Sequence, residues 1–162
     1  MAQDIVGRVQ RLLLSPKKEW EAIDQESVEP QGLITGYVAP LAAIPAIAGL
    51  IGMSMFGVMG FKTPFGSALV SAIVSFALTI GWVFVFAYII DMLAPSFGAQ
   101  KNYKQALKVS AFAPTASWVA GVFMLIPMLG IIALVGALYS LYLLFVGLPK
   151  MMKIFHNFLS FT

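Results

Sequence analysis

The sequence predicts an all-α integral membrane protein: a bundle of four transmembrane helices preceded by short amphipathic surface helices. Three observations carry this expectation. Between Lys108 and Lys150 run 41 consecutive residues without a single Asp, Glu, Lys, Arg or His. That is too long for one membrane crossing and about right for two, since a span needs roughly 20 apolar residues to cross about 30 Å of hydrocarbon. The chain of 162 residues is 60% hydrophobic and only 10% charged, with mean hydropathy +0.90, against about 25% charged residues in soluble domains. Lastly, Lys and Arg distribute over the two ends of the predicted bundle with a nine-to-one bias.

Residues 1–31 read as a polar, amphipathic N-terminal segment. Ile5, Val9, Leu12 and Leu13 fall on one helical face, with Arg8 and Arg11 placed off it, as in a helix lying on a membrane surface. Ser15-Pro16 opens a second short helix as N-cap and first-turn proline. Its acidic group, Glu19, Glu21, Asp24, Glu26 and Glu29, is expected to face water, and Pro30 and Gly32 end it. Asp4, Arg8 and Arg11 interrupt any apolar signal core, so the first span is expected to serve as an uncleaved targeting signal.

The membrane domain is expected over 32–153, with spans at about 33–58, 65–90, 109–126 and 129–148. Lys62-Thr63-Pro64 joins the first two, the basic stretch after Pro95 and Gly98 joins the second and third, and Pro127-Met128-Leu129-Gly130 turns the third into the fourth. One end of such a bundle carries Arg8, Arg11, Lys17, Lys18, Lys101, Lys104, Lys108, Lys150 and Lys153, and the other carries only Lys62. The positive-inside rule then places both termini in the cytoplasm, with the protein multi-pass in a cell (inner) membrane. These nine residues are expected to face anionic lipid headgroups rather than nucleic acid.

Few residues offer chemistry. Ser67, Ser71, Ser75 and Thr79 recur every four residues on the second span and lead through Val83 and Ala87 to Asp91. Such a stripe is either a polar lining for a solute pathway or a seam where small hydroxyl residues let another helix approach. Asp91, the only acid after Glu29, is expected at the hydrated end of its span near Lys101, Lys104 or Lys108. Pro40, Pro45 and Pro114 each remove a helical hydrogen bond, freeing the carbonyls of Gly36, Leu41 and Ser110 and predicting kinks. Gly32 with Gly36, Ala48 with Gly52 and Ser117 with Gly121 are small pairs four apart, suited to close helix packing within the chain or between copies. Trp20, Tyr37, Trp82, Tyr103 and Tyr142 suit interface positions, and Trp118 a buried one. There is no cysteine, the one histidine, His156, follows the last span, and no acid–base pair, phosphate loop or metal-ligand spacing is present. No catalytic residue, cofactor or metal is expected.

Four segments in order, "LLLSPKKEWEAI" (12–23), "YVAPLAAIPAIAGLIG" (37–52), "DMLAPSFGAQKNYKQALKV" (91–109) and "YSLYLLFVGLPKMMK" (139–153), resemble bacterial membrane proteins of the Yip (Ypt-interacting protein) family. The resemblance spans about residues 12–153 and implies a small helical membrane domain with a cytoplasmic N-terminal segment. Eukaryotic relatives associate with small GTPases and with one another; that role is not carried over, and no catalytic residues come with the family. Its members usually continue into a fifth span, whereas residues 154–162 here are too short to cross a bilayer. That tail reads as a surface segment or as the stub of a shortened chain. The resulting expectation is a non-enzymatic protein that organises membrane or binds a membrane-protein partner, or forms a homo-oligomer, through its cytoplasmic face. The alternative is a small channel or transporter built on the hydroxyl stripe and Asp91.

Overall fold

The computed structural model describes residues 4–153. Four helices are long and apolar enough to cross a membrane: Pro30–Phe56, Phe65–Phe97, Tyr103–Leu125 and Pro127–Met152. No strand occurs among the described residues, only a bridge between Val58 and Phe61. Two short helices precede the spans, α1 (Ile5–Leu14) and α2 (Pro16–Gln25). The tail 154–162 and His156 lie outside the described residues.

Each helix has a local cause. Asp4 caps α1, its carboxylate accepting from the Gly7 amide at 2.9 Å. Pro16 sits in the first turn of α2, where its missing N–H costs nothing. The first span absorbs Pro40 by widening: residues Ile34–Val38 form a π-helical turn in which the Ala39 amide reaches back to the Ile34 carbonyl. A second π turn, Gly52–Phe56, closes that span, and Gly57 at φ +69° lets the chain reverse toward Phe61. Pro45 lies inside a continuous helix and is used for packing, since a Cβ on Gly121 would lie 2.6 Å from the Pro45 Cβ.

The third span is the central one. It is in two pieces, Tyr103–Phe112 and Thr115–Ala120, followed by a tight 3-10 turn at Gly121–Leu125. Pro114 makes the break. Every residue from Ala106 to Phe112 is buried. The second span packs along the first piece, the fourth span along both, and the first span along the second piece and the 3-10 turn. By contrast the second and fourth spans expose most of their apolar side chains, for example Leu78 at 67% and Phe145 at 76%. In water such surfaces would be a liability; in a bilayer they meet lipid at no cost.

Close approach depends on small residues. A Cβ on Gly52 would lie 2.1 Å from the Met124 carbonyl oxygen, and one on Gly136 2.3 Å from the Ala120 Cβ. Gly52 and Gly121 thus act as the small-pair pattern suggests. Gly32 and Gly36 do not, as each faces open space within 4 Å. The Ser117 amide donates to the Ser140 hydroxyl at 2.8 Å and pins the third span to the fourth.

Candidate functional site

The polar residues of the molecule gather at one end, where α1 and α2 fold back over the bundle. They do not float as an independent surface segment. Leu12, Trp20 and Ile23 are fully buried and join one core with Tyr37, Leu107 and Phe112. The Trp20 ring meets Phe112 edge-on at 6.4 Å between centroids, and Tyr37 packs on Phe112 at 4.6 Å. On the other side of the indole is Gly147, where any Cβ would come within 2.4 Å of the ring. Trp20 and Tyr37, suited by sequence to interface positions, are therefore core residues.

Several expected lipid or water contacts are corrected in the same place. Arg8 is buried, not lipid-facing: its Nη2 donates to both Glu26 oxygens at 2.8 and 2.9 Å. Its Nη1 lies 3.2 Å from Glu19 Oε1, an ion-pair distance outside hydrogen-bond alignment. Its guanidinium sits 5.5 Å from the centre of the Phe112 ring. Glu19, expected to face water, is buried and also accepts from Arg11 Nε at 2.9 Å. The physical reason is angular: position 8 lies about 60° from position 5 around a helix, on the edge of the apolar arc rather than opposite it. A paired cation can then be drawn inside together with its acids.

Lys108 is the second correction. It is 5% exposed and points along the end of α2, where its Nζ donates to the carbonyls of Ile23, Asp24 and Glu26 at 2.9, 3.3 and 2.5 Å. Of these, only the Ile23 carbonyl also accepts a backbone amide, that of Glu26 at 3.3 Å, so a cation there completes the cap and meets the negative end of the helix dipole. Beside it, Gln105 Nε2 donates to Asp24 Oδ1 at 2.6 Å. Tyr139 of the fourth span donates to the Leu13 carbonyl at 2.6 Å, closing the end of α1 in the same way with a neutral donor. Lys150 pairs with the exposed Glu21 and holds that carboxyl below its ordinary range, first through their hydrogen bond. Arg11, Lys17, Lys18, Lys101, Lys104 and Lys153 remain exposed and Lys150 half-buried.

The hydroxyl stripe does not line the inside of this bundle. Ser67, Ser71 and Ser75 are exposed, and Thr79 is half-buried. Ser75 and Thr79 donate to their own helix, at the Ala72 and Ser75 carbonyls. A four-residue step advances a helix by about 400°, so the stripe rotates about 40° each time. That drift brings Val83 and Ala87 into the core and leaves Asp91 half-buried. Asp91 makes no ion pair with Lys101, Lys104 or Lys108, and its Oδ1 is buried without a hydrogen-bond partner among the described residues.

Pro114 has a purpose that the sequence alone did not disclose. The Thr115 hydroxyl donates to the Phe112 carbonyl at 2.6 Å within the break. It has one proton, so the 2.8 Å contact with Tyr37 must run from the tyrosine to the threonine. The broken third span is thereby tied to the first by a wholly buried bond.

Fold and site together define a class: a four-span helical membrane protein whose charged residues collect under a helical cap at one end. The family model of the Yip1 domain matches residues 11–159, and the chain belongs to that family. Inner membrane protein YohC of Escherichia coli, in strains K12 and O6:H1, is 25% identical over 158 residues, covering 92% of this chain and 80% of the relative. No solved structure matches the chain.

Proposed function

We propose that this chain is a non-catalytic organiser of the inner membrane, binding a membrane-protein partner through the outer face of its cap and the adjoining connection before the third span. One observation carries the reading. The inner face of the cap is committed to the bundle through Arg8, Lys108 and Trp20, while Lys17, Lys18, Gln25 and Glu29 stay exposed on its outside. A charged surface held rigidly at the end of an otherwise lipid-facing bundle suits recognition more than chemistry. The nine-to-one distribution of Lys and Arg supports a cytoplasmic position for the cap and both termini, and the relative's name supports the inner membrane.

The test is tagged extraction in mild detergent, comparing the parent chain with the Lys17→Glu, Lys18→Glu double variant. A stoichiometric co-purifying protein that the double variant loses is the expected result. A chain that purifies alone, or one whose partner is indifferent to the two charges, overturns the reading.

A second reading, a small channel or transporter, draws on Asp91, whose buried Oδ1 at the end of the hydroxyl stripe has no partner among the described residues. With Ser67, Ser71 and Ser75 facing outward, its pathway would run between copies of the chain. Solute flux in liposomes that is abolished by Ser71→Ala, Ser75→Ala and Asp91→Asn, with folding intact, would favour it.

A further inference from the structure

Two recesses at the capped end share a lining residue, Met152. The first is a polar cleft of about 350 Å³ between the Gly98–Asn102 connection and the end of the fourth span. Lys101 and Lys153 line it, both exposed, together with Asn102 and Gln105. Among the described residues no carboxylate lines it; the nearest acid in the hydrogen-bond network, Asp24, is engaged by the Gln105 amide at 2.6 Å. The oxygen of that amide, Gln105 Oε1, is buried with no partner among the described residues. The second recess is a wholly apolar groove of about 190 Å³ between the second and fourth spans, walled by Phe86, Leu93, Phe97, Leu144 and Leu148. Met152 lines both, and Phe97 of the groove is followed directly by Gly98 of the cleft.

We infer that these recesses form one binding site for a single anionic glycerophospholipid. Its phosphate sits between Lys101 and Lys153, a headgroup or glycerol hydroxyl donates to Gln105 Oε1, and one acyl chain follows the groove toward Phe86. The charge argument fixes the occupant. Two ammonium groups with no facing carboxylate among the described residues favour a net-negative headgroup over a zwitterion of the same size. The geometry agrees, because the step from polar cleft to apolar groove falls at the end of a span, where headgroup gives way to hydrocarbon. From Met152 to Leu144 the helix runs about 12 Å, a length suited to the first part of an acyl chain. The site shares the Gly98–Asn102 connection with the proposed partner surface but not Lys17 and Lys18 on the outside of the cap.

The test uses the purified full chain, native mass spectrometry, and phosphatidylglycerol and phosphatidylcholine with identical acyl chains at equal amounts. The parent chain is expected to keep one phosphatidylglycerol with a preference of about thirtyfold, the scale of two lysines at a membrane surface. Lys101→Gln with Lys153→Gln should remove the preference, whereas Lys17→Gln with Lys18→Gln should leave it. Leu93→Trp, at an exposed position on the groove wall, should weaken retention of both lipids without disturbing the fold. Equal retention of the two lipids by the parent, or a preference that survives the Lys101 and Lys153 changes, overturns the inference. Retention seen only after removal of residues 154–162 also overturns it, assigning the groove to the chain's own tail.

Discussion

Arg8 of the first helix lies over the ring of Phe112 in the third span, 5.5 Å from its centre, while its guanidinium holds Glu26 and Glu19. The contact joins the most polar part of the chain to the most buried part of the bundle. It makes the N-terminal helices a structural member of the membrane domain rather than an appendage.

Arg8→Ala therefore removes the partner of two acids, one of them buried. Glu19 keeps Arg11, which limits the loss, yet a broken buried pair still costs about 3 kcal/mol. Thermal unfolding in detergent should show a clear fall in midpoint. Arg8→Met with Glu19→Gln should recover part of it, because a neutral pair leaves no buried charge. A midpoint unchanged in Arg8→Ala would mean that the cluster is hydrated and contributes little.

Lys108→Met takes one cation from three carbonyls at the end of α2. A hydrogen bond to a charged group is worth about 1.5–3 kcal/mol, and those carbonyls cannot all find other donors. Amide exchange in residues 16–25 should rise well above the parent rate while exchange in the second span is unchanged. Equal exchange in parent and variant would assign the capping to water.

Gly147→Ala places a methyl group within 2.4 Å of the Trp20 ring, against the rigid part of the side chain. The indole and α2 must move outward, and the expected cost is about 1–3 kcal/mol, as for other overpacked cores. Trp20→Phe in the same chain should restore much of the loss by shortening the ring system. Limited proteolysis around residues 15–30 reads both effects; a protected Gly147→Ala variant would contradict the packing.

Thr115→Val should destabilise more than Tyr37→Phe. The first change leaves both the Phe112 carbonyl and the Tyr37 hydroxyl without their partner; the second leaves the Thr115 bond to Phe112 in place. The expected costs are about 2 and about 1 kcal/mol. The reverse order would show that the tyrosine, not the threonine, repairs the break at Pro114.

Glu21 is exposed, so its pair with the half-buried Lys150 should matter little, as surface ion pairs generally do. Its sign is fixed by the lowered Glu21 carboxyl. The contribution is complete above the ordinary carboxylate range and is lost as the pH falls through the lowered value. Glu21→Gln should leave the unfolding midpoint at neutral pH nearly unchanged and flatten any acid dependence tied to this pair.

The four long helices were legible because the bilayer imposes length and polarity on a span, and few charges interrupt the apolar runs. The sequence puts the connections at Lys62-Thr63-Pro64 and Pro127-Met128-Leu129-Gly130; the reversal at Gly57 carried no separate signal. The cap was not, because docking depends on which charges face each other across distant segments. Arg8, Glu19 and Lys108 look like solvated residues when each is judged on its own helix. The prolines were legible as breaks but not in their repair, which needs Tyr37 to meet Thr115 from another span. The hydroxyl stripe was legible as a repeat but not in its surroundings, since a four-residue repeat turns slowly around the helix: Ser67 begins outside, and Ala87 ends in the core. Gln105 and Tyr139 carried no sequence signal, since single polar residues near span ends are ordinary there.

The docked cap is the central claim, and labelling at single cysteines tests it most directly. The chain has no native cysteine, so each introduced thiol reports alone. Ile23 is fully buried on the inner face of the cap and Lys18 is exposed on its outside. In membrane vesicles with the capped end accessible, Lys18→Cys should react rapidly with a water-soluble maleimide. Ile23→Cys should react slowly and become reactive when Arg8→Ala is added. Equal rapid labelling at both positions in the otherwise unaltered chain would contradict a docked cap.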